Sequence, residues 1–291
     1  MPNPSRSQVN PVNIPLTMLS AKYLQEESNF VCDSVFPPVM VPLSTGSYYV
    51  FSKDDFMRDE MEERAPGTQV KKTGYNISTT PYMCKPYGLG HDIPDQVRGD
   101  ASPPVDLERS ATQMLTEKYM IKKEKLWASS YFQAGIWAGA PDGIAWNWSV
   151  GTADPISDVL TLSDSVKGNS GIRPNTLVLG QQAFRMATQS ATVLDRVKYT
   201  SRGQITKDIF GSLLSDSGNT PIKVLVLEGV ENTAAEGQAG TIANIGDGAS
   251  ALLCYSAPGP SIDRPSAGYQ FIWDSYPGGM GPVIKSYREE A

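Results

Sequence analysis

The alternation of apolar and polar residues is clearest between Gly171 and Leu214. Thr176 to Leu179 is a short apolar, β-branched run that is entered through a proline and ended by Gly180, which predicts a buried strand. A short helix should follow it. Thr206 is the expected N-cap of a second helix. The apolar face of that helix should hold Ile209, Phe210, Leu213 and Leu214. The pattern predicts strand, helix, loop and helix, in that order.

Two further helices are predicted before this region. One runs from Asp106 to about Gly135, and the residues at helical spacing on its apolar face are Leu107, Ala111, Met114, Leu115 and Ile121. Lys118 and Lys125 interrupt that face. Either their stems lie along the protein surface or this side meets an acidic partner. The other helix has Asp154 as N-cap and is expected to end at Gly168, with Ile156, Val159, Leu160 and Val166 buried.

The C-terminal third reads mainly as strands. Apolar runs predict strands at residues 222–227, 251–255, 269–273 and 283–287. The stretch from Asn232 to Gly248 is rich in glycine and small residues, which is typical of a mobile loop. With the helices described above, these strands indicate an α+β protein.

The first 45 residues contain seven prolines, which break every candidate element except a short helix around Ser20 to Ser28. Such a segment buries little of itself, so we expect it to lie as an arm on a neighbouring subunit. Residues 46–90 predict a long two-stranded hairpin, with Ser47 to Phe51 outward and Thr73 to Thr79 returning. An arm from Ser47 to Met61 would reach about 50 Å, beyond the radius of gyration of roughly 19 Å for a globule of this length.

The far end of the hairpin is charged, with six acidic and five basic residues between Lys53 and Lys72. Because the two signs nearly balance, the tip could complement a second copy. A solvated surface is the alternative. The residues predicted to make intersubunit contacts are Arg58, Glu60, Glu62, Glu63, Arg64, Lys71 and Lys72.

Composition narrows the function classes. The 291 residues suffice for one large domain or two modest ones, and the net charge of −6 argues against wholesale binding to nucleic acid or an anionic membrane. The three cysteines form no pair with the spacing of a zinc site or a disulfide framework. No run approaches the roughly 18 apolar residues of a membrane span. We therefore expect a protein of a reducing compartment, without a membrane partner.

Candidate chemistry is sparse. His91 is the single histidine, and with Asp92 it could form a catalytic dyad or be an exposed imidazole. No P-loop, dinucleotide-binding or nucleophile-elbow pattern occurs. The acidic pairs in the hairpin lack the spacing of a calcium loop. The sequence thus predicts no catalytic residues, no cofactor and no metal, and it favours a protein that is not an enzyme.

Three stretches resemble major capsid proteins of tailed bacteriophages. They are RPNTLVLGQQAF from Arg173 to Phe184, VLDRVKYT from Val193 to Thr200 and PSAGYQFIWD from Pro265 to Asp274. The resemblance implies the Hong Kong-type capsid fold. It assigns residues 1–45 to an N-terminal arm, 46–90 to an extended loop, 91–170 to a peripheral domain with a long helix, 171–264 to an axial domain, and 265–291 to strands that return to the peripheral domain.

The resemblance also implies a function. Copies would assemble through pentamers and hexamers into an icosahedral shell that encloses double-stranded DNA without binding it specifically. Further implied partners are a separate scaffolding protein, a portal and a decoration protein. The shell would be assembled in the host cytoplasm and located in the virion. The alternative within the same fold is the shell protein of a cellular nanocompartment, similar to encapsulins.

Overall fold

The computed structural model describes residues 24–100, 106–137, 148, 153–198, 205–215, 222–259 and 265–274. In these ranges the helices are α1 (Cys32–Val35), α2 (Lys53–Phe56), α3 (Asp95–Asp100), α4 (Leu107–Tyr131), α5 (Pro155–Ser170), α6 (Gln181–Gln189), α7 (Ala191–Val197) and α8 (Lys207–Leu213). The strands are β1 (Pro38–Val41), β2 (Thr45–Phe51), β3 (Ile77–Met83), β4 (Thr176–Gly180), β5 (Lys223–Leu227), β6 (Val230–Asn232), β7 (Ile242–Asn244), β8 (Ala251–Cys254) and β9 (Gln270–Trp273). The fold is a mixture of helices and strands, as predicted.

A three-stranded sheet organises the C-terminal half of the described chain. Its central strand is β4, which pairs in parallel with β5 and antiparallel with β8. All five residues of β4 are buried. A strand covered on both faces needs a continuous apolar run instead of alternation, which is the pattern of this segment. The buried strand predicted at Thr176 to Leu179 is confirmed.

The helices next to this sheet agree with the sequence pattern except in one place. The predicted helix after β4 is α6, and Thr206 caps α8 by accepting a hydrogen bond from the N–H of Ile209 at 3.4 Å. Phe210 and Leu214 are buried. The segment between them was expected to be a loop, but it contains the short helix α7, whose Val193 and Val197 are buried in the core.

Helix α5 begins as predicted and ends later. The side chain of Asp154 accepts hydrogen bonds from the N–H groups of Ile156 and Ser157 at 3.2 and 3.3 Å. The expected end at Gly168 is wrong. Gly171 takes the left-handed conformation, with φ of 74°, and its N–H donates to the carbonyl of Lys167 at 2.8 Å. The left-handed conformation costs glycine little free energy. The helix therefore ends at Gly171, which adopts this conformation, and not at Gly168.

The long helix α4 is confirmed, with Asp106 as its N-cap. The five residues of its predicted apolar face, Leu107, Ala111, Met114, Leu115 and Ile121, are all half-buried, and Ile121 packs against the core. The fully buried residues lie nearer the C-terminus of the helix and are Glu124, Trp127 and Ala128. The part of the helix that packs most closely on the N-terminal segment and β8 therefore lies beyond the residues that periodicity indicates.

The proline-rich N-terminus contains an unexpected folded part. Residues 31–41, which we call the N-terminal segment, form α1 and β1, and Val31, Cys32, Val35 and Phe36 lie in a core with α4 and β8. Strand β1 pairs in parallel with β9. The expectation that this stretch would bury little of itself is wrong for these residues. Of the helix predicted around Ser20 to Ser28, only a 3₁₀ turn from Glu27 to Asn29 is described, and residues 20–23 lie outside the described ranges.

The stretch predicted as a mobile loop contains β7 and the last residue of β6, and these two strands pair antiparallel. The side-chain oxygen of Asn232 accepts hydrogen bonds from the N–H groups of Ala234 and Thr241, at 3.1 and 2.9 Å, and so closes the connection between the strands. The Asn232 side chain therefore orders this connection through hydrogen bonds to the backbone. The strand predicted at residues 283–287 lies outside the described ranges.

Candidate assembly surfaces

The hairpin formed by β2 and β3 is largely exposed, and none of its residues is buried. We use "the hairpin" for residues 45–83. Its strands pair antiparallel over seven residue pairs, from Thr45 opposite Met83 to Phe51 opposite Ile77. The predicted outward strand is confirmed. The return strand lies about four residues later than expected, because the register places Ile77, and not Thr73, opposite the end of β2.

Contacts at its root and near the end of α5 fix the hairpin to its own chain. At the root, the rings of Tyr48 and Tyr82 pack on Phe271 of β9, with centroids 5.4 and 4.6 Å apart. Farther out, the ammonium of Lys53 donates to the carbonyl of Asn169, near the end of α5, at 2.9 Å. Met57 also lies against Gly171, where an added Cβ would be 2.7 Å from its terminal methyl group. The expectation that the hairpin leaves its own body is therefore wrong at this point.

Large apolar side chains of the hairpin remain exposed. Phe51, Phe56 and Tyr75 form a cluster with ring centroids 5.5 to 6.1 Å apart. Phe56 nevertheless exposes 64% of its surface, Tyr49 exposes 72% and Met61 exposes 95%. Contiguous exposed apolar groups of this kind mark surfaces at which proteins associate.

The charged end of the hairpin contains all seven residues predicted to make intersubunit contacts. The structure joins four of them within the chain, through the ion pairs Arg58–Glu60 at 3.4 Å and Lys71–Glu62 at 2.6 Å. The other three, Glu63, Arg64 and Lys72, are exposed. Exposed ion pairs contribute little stability because water screens them, so these charges can exchange partners at small cost. Their role between subunits remains a prediction.

A buried carboxylate that sequence reasoning missed attaches the N-terminal segment to α4. Glu124 is completely buried, and its two oxygens accept hydrogen bonds from the N–H groups of Val31 and Cys32, each at 3.0 Å. The sequence nevertheless contained a signal, because Glu124 is three residues after Ile121 and four before Ala128, which places it on the helix face that packs into the core.

The region around His91 does not assemble a recognisable reaction centre. His91 and Asp92 are exposed and line an open groove of about 440 Å³ next to the start of α4. The rest of its lining is mostly apolar and includes Ile93, Leu107 and Met114. No group of histidine, cysteine or acidic residues in the described part of the chain could hold a metal ion. None of the described helices is both long and apolar enough to cross a membrane.

Comparison with known proteins gives one informative relative. No known family profile matches the chain. The chain is 24% identical over 204 residues to the major capsid protein of Burkholderia phage BcepMu. The predicted resemblance to phage major capsid proteins is confirmed. The aligned region covers 69% of this chain and 64% of that relative, so the chain spans less than two thirds of the relative's length.

Two solved structures are similar to this chain. A phage-related protein from Bordetella bronchiseptica RB50 matches with a TM-score of 0.63 and 22% identity, over 87% of this chain and 81% of that protein. The capsid structure of cyanophage P-SCSP1u matches with a TM-score of 0.47 and 12% identity, over 81% and 74% of the two chains. The match to the Bordetella protein shows a shared fold.

Proposed function

We propose that this chain is the major capsid protein of a tailed phage. Copies assemble through pentamers and hexamers into an icosahedral shell with the Hong Kong-type fold, and the chain has no catalytic activity. The similarity to the BcepMu capsid protein and the shared fold of the Bordetella protein support this proposal. The feature of the chain itself that most supports the proposal is the hairpin, which presents large apolar side chains to solvent.

The physical argument starts from the marginal stability of an isolated two-stranded ribbon in water. In the described part of the chain, the hairpin is supported by its root contact on Phe271 and by the contacts of Lys53 and Met57. Covering the rings of Phe56 and Tyr49 would remove apolar surface from water, at about 25 cal/mol per Å². A neighbouring copy supplies such a cover in every subunit of a closed shell, so many weak contacts add up through multivalency.

The charged end complements this apolar contact. The pairs Arg58–Glu60 and Lys71–Glu62 are exposed, so a neighbour can replace one partner of each with little loss. Glu63, Arg64 and Lys72 add charges of both signs. The seven residues then set the orientation of the contact more than its strength, because surface charges contribute more to specificity than to affinity.

The domain division and the partners belong to the same proposal. Residues 1–45, 46–90, 91–170, 171–264 and 265–291 are assigned as arm, extended loop, peripheral domain, axial domain and returning strands. The shell would assemble in the host cytoplasm with a separate scaffolding protein and a portal, bind a decoration protein, and enclose double-stranded DNA in the virion. A net charge of −6 is compatible with a shell that encloses DNA without binding it tightly.

Deleting residues 54–71 tests the role of the hairpin. We expect a folded, soluble chain that no longer forms closed particles, because the deletion removes the charged end and the Met57 contact but no residue of either core. Size-exclusion chromatography and negative-stain microscopy measure the outcome. A matched control deletes Glu236, Gly237 and Gln238 from the exposed β6–β7 connection and should still give particles. Normal particles from the hairpin deletion would contradict the proposal.

The nanocompartment alternative is less well supported, because the comparisons name a phage capsid protein and a phage-related protein. The contents of purified particles distinguish the two. A phage shell purified from its host during infection holds double-stranded DNA, whereas a nanocompartment holds an enzyme cargo.

A further inference from the structure

The N-terminal part of the chain follows one face of α4. The N–H groups of Val31 and Cys32 donate to Glu124, each at 3.0 Å. Earlier in the chain, the N–H of Gln25 donates to Glu117 at 3.2 Å. Glu117 lies about two turns nearer the start of the helix than Glu124. The chain from Gln25 to Cys32 therefore runs in the same direction as α4, and the residues before Gln25 lead towards the start of the helix.

Gln25 is held firmly at this position. Besides the bond from its backbone to Glu117, its side-chain amide donates to the carbonyl of Val230 and accepts from the N–H of Val230, both at 2.8 Å. Both of these partners belong to the same chain. The residues before Gln25 thus start from a fixed point beside their own α4.

The face of α4 that carries these contacts continues into an open groove. Residues three or four apart on a helix lie in one row along it. The row that contains Glu124 and Glu117 continues towards the start of α4 with Met114, Ala111 and Leu107. These last three residues line the groove of about 440 Å³ described above. Among the described residues, the N-terminal segment covers the C-terminal part of the row and the groove lies at its other end.

A short stretch of the arm has the apolar pattern that this groove requires. It lies within residues 1–23, outside the described ranges. Pro15 disfavours a helix and restricts Ile14 to extended conformations. Alternate side chains of an extended segment point to the same side, so Ile14, Leu16 and Met18 form an apolar edge.

The connection to Gln25 is long enough for this stretch to reach the groove. The chain from Met18 to Gln25 spans about 23 Å when extended, at ~3.3 Å per residue. The distance along α4 from Glu117 to Leu107 is roughly 15 Å, at about 1.5 Å per residue. No rearrangement of the described residues is therefore needed.

We propose that Ile14, Leu16 and Met18 fill the groove between residues 91–97 and the start of α4 of their own chain. The short connection to Gln25 gives this stretch a high effective concentration at its own groove, which favours it over the same stretch of a neighbouring copy. One continuous length of chain, residues 14–36, then covers the whole row on α4. The sequence pattern predicted that the arm lies on a neighbouring subunit, and the proposal assigns these residues to their own subunit instead. It concerns a single copy and does not rest on the proposed shell function.

Hydrogen exchange of the full-length, unassembled chain tests the proposal. The measured amides are those of residues 111–117, which are bonded within α4 and report its local opening. Leu16→Asp should make them exchange several-fold faster, because a carboxylate does not enter an apolar groove without a large cost. Val9→Asp is the matched control, since it makes the same kind of change in the arm outside the docking stretch. It should leave the exchange of these amides unchanged.

The protein concentration distinguishes the two possible sources of the docking stretch. Docking within one chain gives the same protection at two concentrations tenfold apart. Protection that rises with concentration would assign the groove to a second copy and overturn the proposal. Unchanged exchange in Leu16→Asp, or equal acceleration by Val9→Asp, would also overturn it. If Leu16→Asp does not fold, deletion of residues 2–19 replaces it, and unchanged exchange of residues 111–117 in that variant would have the same meaning.

Discussion

The N-terminal segment and the hairpin are separated by three residues in the chain, yet they differ in how much apolar surface they bury. In the N-terminal segment, Val31, Cys32, Val35 and Phe36 lie in a core formed with α4 and β8. In the hairpin, Tyr49, Phe56 and Met61 are mostly exposed, although its strands are longer and better paired than β1. Backbone pairing alone therefore does not decide which segment is stabilised within one copy.

The difference lies in what each segment finds on its own chain. The N-terminal segment meets a carboxylate that caps α1, a strand that pairs with β1, and the aromatic side chains of α4. Among the described residues, the hairpin meets Phe271 at its root and the end of α5 beyond it. The N-terminal segment belongs to the fold of a single copy, whereas the hairpin has exposed apolar surface that another molecule can contact.

The largest expected effect comes from removing an aromatic side chain of the N-terminal segment. Phe36 exposes 3% of its surface, and its ring lies 5.0 Å from that of Tyr131 and 6.1 Å from that of Trp127. Phe36→Ala should lower the free energy of unfolding by about 3–5 kcal/mol, because it leaves a cavity in a packed core. Urea denaturation measures the change. A loss below about 1 kcal/mol would show that this segment is not part of the core.

The same comparison explains what the sequence could and could not predict. β4 and the start of α5 were predictable because their signals are local, namely a continuous apolar run and the pair Asp154–Pro155. α1 and β1 were missed because the prolines around them hide any periodicity. Their partners, Glu124 and β9, also lie about 90 and 230 residues away. Local patterns carry no information about partners at such distances.

The hairpin was predictable as a pair of strands, but its contacts were not. Strand patterns indicate β2 and β3, whereas the register depends on the turn between them, which is long and includes α2. The charged residues of the candidate surface could be found from the sequence because they cluster in one run. The Lys53 contact to Asn169 could not, since a carbonyl at the end of a helix has no sequence signature.

A matched substitution in the hairpin should have a smaller effect on folding and a larger one on assembly. Phe56 contacts Phe51 and Tyr75 but exposes 64% of its surface. Phe56→Ala should therefore change the free energy of unfolding by less than about 1 kcal/mol. We expect fewer closed particles by negative-stain microscopy, because less apolar surface is available to a neighbour.

Phe36→Ala is the counterpart for this experiment, since both variants remove the same side chain from neighbouring parts of the chain. The reverse pattern of effects in these two variants would contradict the difference drawn between the N-terminal segment and the hairpin. A Phe56→Ala chain that loses several kcal/mol but still assembles would mean that the hairpin belongs to the fold of one copy. The apolar surface would then need another explanation.

The smallest expected effect concerns the charged end. Lys71 and Glu62 form an exposed ion pair at 2.6 Å, so Lys71→Met should change the free energy of unfolding by no more than about 0.5 kcal/mol. If the pair exchanges partners between copies, the variant should assemble more slowly than the wild type at low salt. The difference should shrink as salt is raised, because screening removes the contribution of the charge in both proteins.

Lys85→Met is the control for this last experiment, because Lys85 is exposed just beyond β3 and away from the charged end. It removes the same charge from the chain and so separates a contact at the tip from an effect of net charge. Light scattering during assembly at several salt concentrations measures both variants. Equal slowing by Lys71→Met and Lys85→Met would assign the effect to overall charge, and the hairpin would then act between copies through its apolar side chains alone.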